Sequence, residues 1–89
     1  MLEARETTTL RRDLRRVIAQ GKDFELFRAV LSCLVNEEPL DPKYRDHALS
    51  HNWKGYRELH IQPDWLLIYK ITGNILILAR TGSHSELFG

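Results

Sequence analysis

His60, Asp64, Arg80 and His84 are side chains that together can cut a phosphodiester without help from a metal ion. Internal transesterification of RNA needs a base for the 2′-hydroxyl proton, an acid for the leaving 5′-oxygen and a cation for the charge that gathers on the phosphate. Imidazole suits the first two tasks because its ordinary pKa lies near working pH. Guanidinium suits the third because its planar fork meets two phosphate oxygens at once. Trp65, Tyr56 and Phe88 offer flat faces on which a splayed base can stack. Each residue also has a purely structural reading. His60 and His84 fit ordinary surface histidines, Asp64 after Pro63 is a common turn former, Arg80 has Glu58 and Glu86 as candidate partners, and Trp65 and Tyr56 fit a core.

Bringing these residues together falls to the stretch from Trp53 to Ile71, where two runs rich in aromatic and branched residues flank Pro63-Asp64. That pattern predicts a β-hairpin with His60 near the end of its first strand and Asp64 at the start of its second. Trp65 to Ile71 is apolar apart from Lys70, as expected for a central strand covered on both faces. Gly73-Asn74 then turns the chain into Ile75-Leu76-Ile77-Leu78-Ala79, which returns Arg80 and Gly82-Ser83-His84 to the hairpin tip. The register of this last pair stays open. A two-residue loop sets Arg80 on the face of Trp65 and Tyr69, and a three-residue loop sets it beside Leu66 and Ile68.

Two helices precede the strands. Leu10, Leu14, Val17 and Ile18 recur at the spacing of one helix face, with Thr9 as the expected cap and Gly21 as the stop. Arg11, Arg12, Arg15 and Arg16 share the opposite face, open to an RNA backbone or an acidic partner or simply solvated. Asp23 caps the second helix, whose Phe24, Phe27, Val30, Leu31, Leu34 and Val35 form an apolar stripe suited to covering a sheet. Pro39 and Pro42 end it and open a loop that carries His47 and His51. These two histidines lie four apart, but without secure helical geometry or a cysteine pair they make a weak metal motif. Residues 1–8 suit a short edge strand or a frayed end. The expected fold is α+β: two N-terminal helices across one face of a three-stranded antiparallel meander, or four strands if the N-terminus joins it.

Composition narrows the function classes. The 89 residues suffice for one domain, residues 1–89, with a modest core. Thirteen Lys and Arg against twelve Asp and Glu leave a net charge of +1, which excludes nucleic-acid binding by bulk charge alone. Cys33, the single cysteine, excludes an internal disulfide and reads as a small buried hydrophobe. No apolar stretch resembles a signal peptide or a membrane span, so the expectation is a soluble cytoplasmic protein without membrane contact.

Asp46-His47-Ala48-Leu49, Trp53 to Ile61, Pro63 to Tyr69, Arg80 to His84 and Leu87-Phe88-Gly89 resemble the YafQ branch of the RelE/ParE toxins in order and spacing. The resemblance spans residues 39–89 and implies a RelE-like, microbial-RNase-type fold. It further implies a ribosome-dependent endoribonuclease of a type II toxin–antitoxin pair, cutting mRNA in the A site of the 70S ribosome without a cofactor. A DinJ-like antitoxin would hold it inactive, and the toxin–antitoxin complex would bind promoter DNA. Carried over by position, the resemblance makes His47, His60, Asp64 and His84 the catalytic set, with Arg80 on the transition-state phosphate and Trp65, Phe88 and Lys54 toward the RNA. Within that set His84 is read as general acid, Asp64 with His60 as acceptor or orienter of the 2′-hydroxyl proton, and His47 as support. Glu58 stands where the resemblance leads one to expect an aspartate, and His51 matches no functional position.

Two rival readings come from other classes. A gyrase-inhibiting binding module of the ParE kind would need no imidazoles at the sheet rim, so His60, Asp64 and His84 favour the nuclease. A catalytically idle member would keep only antitoxin binding and promoter repression.

Overall fold

Strand β4 (Trp65–Thr72) is the centre of the structure, a computed structural model that describes residues 1–89. Trp65, Leu66, Leu67, Ile68 and Tyr69 are all buried, so this strand is covered on both faces, as its unbroken apolar run requires. It pairs antiparallel with β3 (Arg57–Gln62) through the two-residue Pro63-Asp64 turn and with β5 (Ile75–Gly82) through Gly73-Asn74. One side packs against α1 (Thr8–Ala19) and α2 (Phe24–Val35) in a 14-residue core that includes Leu10, Val17, Phe27, Val30, Trp65 and Leu78. The other side is a smaller cluster of Leu66, Ile68, Ala79 and Leu87 under Leu49, Trp53 and Tyr56.

The sheet has five strands in the order β1-β5-β4-β3-β2 and is mixed rather than the expected three- to four-stranded antiparallel sheet. Strand β1 (Glu3–Glu6) runs parallel to β5 along the edge, and the two-residue β2 (His47–Ala48) pairs antiparallel with β3. All four β1 side chains are exposed, so backbone hydrogen bonds hold this strand and no apolar alternation marks it. A third helix, α3 (His84–Phe88), begins at a capping box in which Ser83 and Glu86 satisfy each other's backbone N–H groups.

Local chemistry explains the remaining differences from expectation. The cap of α1 is Thr7, not Thr9, because Thr7 Oγ1 accepts from the Leu10 N–H and donates to the Ala79 carbonyl. Gly21 does stop the helix, with φ +92°, and Asp23 does cap α2. Ile18 is 44% exposed while Asp13 is only 2% exposed, so the buried stripe of α1 runs Leu10, Asp13, Leu14, Val17. Phe24 stacks on Phe27 but stays partly exposed, and Cys33 is half-buried on the outer side of α2, its Sγ directed at the Glu38 and Pro39 carbonyls. No helix is long and apolar enough to cross a membrane.

The register question resolves through a β-bulge. The Gly73-Asn74 loop has two residues and pairs Thr72 with Ile75, but Tyr69 pairs with Leu78 and Ile68 with Arg80, leaving Ala79 without a partner. Arg80 thus lies opposite Ile68 although the loop is the short one.

Candidate active site

The bulge aims Arg80 at α1. Its Nε and Nη2 each donate to one oxygen of the Asp13 carboxylate, both at 2.8 Å, in a bidentate pair. Asp13 also accepts from Arg16 Nη2 at 3.1 Å and from the Thr81 N–H at 3.3 Å. Hydrogen bonding to this carboxylate, with a smaller contribution from the Glu86 charge, raises the Arg80 pKa and keeps it a fixed cation. Its partner is therefore Asp13 rather than Glu58 or Glu86, and the fork's Nη1 amine stays outside the pair. Sequence reading did not select Asp13, although its position three after Leu10 and four before Val17 puts it on the buried stripe, where a carboxylate must find a partner.

Three imidazoles form a second cluster, supplied by β2, β3 and α3. The ring centroids of His47 and His60 are 6.3 Å apart, those of His60 and His84 5.6 Å, and Phe88 continues the row 6.4 Å from His84. Short β2 supplies His47, whose Cα partner across the ladder is Glu58. Its Nδ1 donates to the Arg45 carbonyl at 2.8 Å, and its Nε2 lies 3.4 Å from Glu58 Oε1. Asp46 pins the preceding residue by accepting from the Tyr69 hydroxyl and the Arg57 guanidinium, and burial followed by that carboxylate pushes the Tyr69 pKa well up.

His60 sits in the middle of the row with 13% of its side chain exposed. Its Nδ1 donates to the Pro63 carbonyl at 3.3 Å across the hairpin tip, which leaves Nε2 as the acceptor nitrogen, 3.5 Å from Glu58 Oε1. Glu58, only 5% exposed, faces the Nε2 atoms of both His47 and His60.

His84 opens α3 and is exposed. Both its backbone N–H and its Nδ1 donate to Asp64 Oδ1 at 3.0 Å, which leaves Nε2 unengaged. The backbone hydrogen bond, then the imidazole, and more weakly the charge of Lys22 hold the Asp64 carboxyl below its ordinary value. Asp64 is therefore the partner of His84, not of His60 as the sequence suggested. Ser83 fixes the start of α3, and Glu86 ties it back to α1 through Gln20 and Arg16.

The structure gathers His47, His60, Asp64, His84 and Phe88, and it separates Trp65 and Lys54 from them. Trp65 is wholly buried, its indole N–H donating to Thr81 Oγ1 at 2.9 Å, so stacking on a base is not open to it and it is a core residue. Lys54 is exposed after the 3₁₀ turn His51–Trp53, with no hydrogen bond or ion pair to the row. His51 lies in that turn with φ +56° and does not join His47. Arg16 is drawn into the Asp13 and Glu86 contacts, leaving Arg11, Arg12 and Arg15 on the free face of α1.

One ligand atom each from Glu58, His60 and His84 lies within 4.8 Å of the others, a nitrogen and oxygen donor set that suits a borderline metal such as copper or zinc. Neither the four-residue spacing of His47 and His51, weighed and set aside on the sequence, nor any cysteine enters this set.

The family model described as the bacterial YafQ toxin of type II toxin–antitoxin systems matches residues 2–89. The mRNA interferase toxin YafQ of Escherichia coli K12 is 42% identical over 79 residues, covering 88% of this chain and 86% of that protein. A chain of the E. coli DinJ–YafQ complex superposes with a TM-score of 0.92 at 37% identity over the whole of both chains. A metal-bound toxin from Helicobacter pylori superposes with a TM-score of 0.93 at 43% identity, over 99% of this chain and all of that one.

Proposed function

The chain belongs to the YafQ family of bacterial type II toxins, and on that premise we propose that it cuts mRNA in the ribosomal A site by acid–base transesterification. It is an endoribonuclease, an mRNA interferase, with a DinJ-like antitoxin as partner. The observation that carries the mechanism is the row of three imidazoles at the sheet rim, with Glu58 facing His47 and His60 and Asp64 hydrogen-bonded to His84.

His60 Nε2 takes the 2′-hydroxyl proton, and the Glu58 carboxylate stabilises the imidazolium that forms. The 2′-oxygen bonds to phosphorus as the bond to the 5′-oxygen breaks, leaving a 2′,3′-cyclic phosphate. His84, steered by Asp64 on Nδ1, gives the Nε2 proton of its charged form to the departing 5′-oxygen. His47 supports the phosphate from the far end of the row, and Arg80 offers Nη1 to the same charge while Asp13 holds its fork. Phe88, exposed beside His84, is the face left for stacking a base now that Trp65 is accounted for by the core. Where a metal is bound, Glu58, His60 and His84 would hold it, and it would supply Lewis acidity to the phosphate.

The ribosome does the work of positioning RNA that a net charge of +1 leaves undone. Arg11, Arg12 and Arg15 face outward for that contact, and the cytoplasm is where it would occur. Primer extension on a defined mRNA, with and without programmed ribosomes, tests the reading. Wild type should cut only on ribosomes, and His84→Ala should lose about 10²- to 10⁴-fold in rate. Cutting of free RNA, or full activity in His84→Ala, would overturn it.

A further inference from the structure

Beside the imidazole row lies a cleft of about 500 Å³, inside the range of small-ligand sites, between α2, the Lys43–Arg45 turn and the β3–β4 tip. His60 belongs to both the row and the cleft. We propose that this cleft is a nucleotide subsite, holding the base and phosphate of the residue next to the scissile bond, a reading that rests on the ribonuclease function above.

Its lining divides by chemistry. Leu26, Tyr44 and Ile61 give an apolar wall, and Leu26 is 37% exposed there, although it stands on a helix whose neighbours Phe27 and Val30 are buried. Lys43 and Arg45 give two exposed cations, neither of which has a carboxylate within ion-pair distance. Lys43 Nζ instead lies 5.2 Å from the centroid of the Tyr44 ring, and that ring is packed against the main core. An apolar wall beside two cations that no carboxylate neutralises matches what one nucleotide presents, a base face and a phosphate.

The turn also links the cleft to catalysis. Arg45 adopts φ +52°, a left-handed conformation costly for a residue with a Cβ, and in it the Arg45 carbonyl receives the His47 Nδ1–H at 2.8 Å. One residue therefore orients an imidazole of the row with its backbone and lines the cleft with its side chain. An acidic segment of the antitoxin would meet the same cations, but continuity with His60 favours RNA.

The double variant Lys43→Gln/Arg45→Gln changes only exposed side chains, and an unmoved urea midpoint will show that the fold is kept. On programmed ribosomes its half-saturating concentration should rise about tenfold, as loss of charge-assisted phosphate contacts implies. A 2′-O-methyl trinucleotide, uncleavable because the attacking hydroxyl is blocked, should shift the Leu26 and Ile61 methyl resonances of the free wild-type protein. The double variant should lose those shifts and about 0.7 from the slope of log affinity against log salt, the share of one neutralised phosphate on a single strand. Unchanged half-saturation in the double variant while His84→Ala still abolishes cleavage would overturn the subsite and leave the nuclease standing. Trinucleotide shifts that avoid the cleft, or a double variant that loses antitoxin and keeps RNA, would overturn it equally. If wild type cuts nothing, the nuclease reading fails and the trinucleotide titration still decides the subsite.

Discussion

Two charged clusters sit on the same sheet and are built in opposite ways. At the bulge of β5, Asp13 is 2% exposed and spends its oxygens on two guanidinium nitrogens of Arg80, one of Arg16 and the Thr81 N–H. At the rim, Asp64 and His84 are exposed, Glu58 faces two histidines at 3.4 and 3.5 Å, and His84 Nε2 is left without a partner. Saturated contacts in low dielectric make a fixed strut, whereas contacts that are long or open to water leave protons free to move. The first cluster places β5, and β5 hands the chain to α3, which carries His84.

The largest expected effect lies in the strut. Asp13→Ala leaves Arg80 without its partner and should destabilise by about 3 kcal/mol, the low end for a broken buried pair because Arg80 is one-quarter exposed. Urea denaturation measures this as a lowered midpoint with unchanged slope. His84→Ala, taken through the same titration, should stay within about 0.5 kcal/mol of wild type. Equal stability losses in the two variants would erase the distinction between strut and rim.

Next comes Trp65, which the resemblance set toward the RNA and the structure buries in the core, the other reading its sequence allowed. Trp65→Phe removes the indole N–H donated to Thr81 and part of a fully buried ring, a loss of about 1–2 kcal/mol. Thr81 Oγ1 keeps its bond to the Leu66 carbonyl, so no donor is stranded. Ribosomal cleavage well below the melting temperature should be unimpaired. A variant as stable as wild type but unable to cut would return the indole to the RNA.

Trp65 also shows where sequence stops being informative. The β3–β4 hairpin, the Gly73-Asn74 turn and the capped α2 were legible because apolar runs, turn residues and Asp23 all act within a few positions. Convergence of His60, Asp64 and His84 followed from strand order alone. Strand β1 was legible only as one of two alternatives, a short edge strand or a frayed end, since Glu-Ala-Arg-Glu has no alternation and depends on the backbone of β5. Strand β2 was not legible, being two exposed residues that only the ladder to Glu58 makes a strand. The bulge at Ala79 defeated register counting, because the extra residue is accommodated through Thr7 and Arg80 contacts more than sixty positions away in sequence. Helix α3 was different in kind: Ser83-x-x-Glu86 is a capping signature visible in the residues themselves.

The smallest effect tests how the rim is held. The Asp64 carboxyl is depressed in the folded protein, first by the His84 backbone N–H and then by the imidazole. A depressed folded pKa means that the contact contributes above the unfolded value of about 3.9 and is lost as pH falls through the lower folded value. Because Asp64 is solvent-exposed, salt will screen the ionic part of that contribution. A carbon-13 NMR titration of the side-chain carboxyl should give a wild-type midpoint below the ordinary range. In His84→Ala the midpoint should move only part of the way back, since the larger backbone contribution survives while the imidazole is gone. A complete return would mean that the first turn of α3 does not grip Asp64, and that His84 is aimed by its side chain alone.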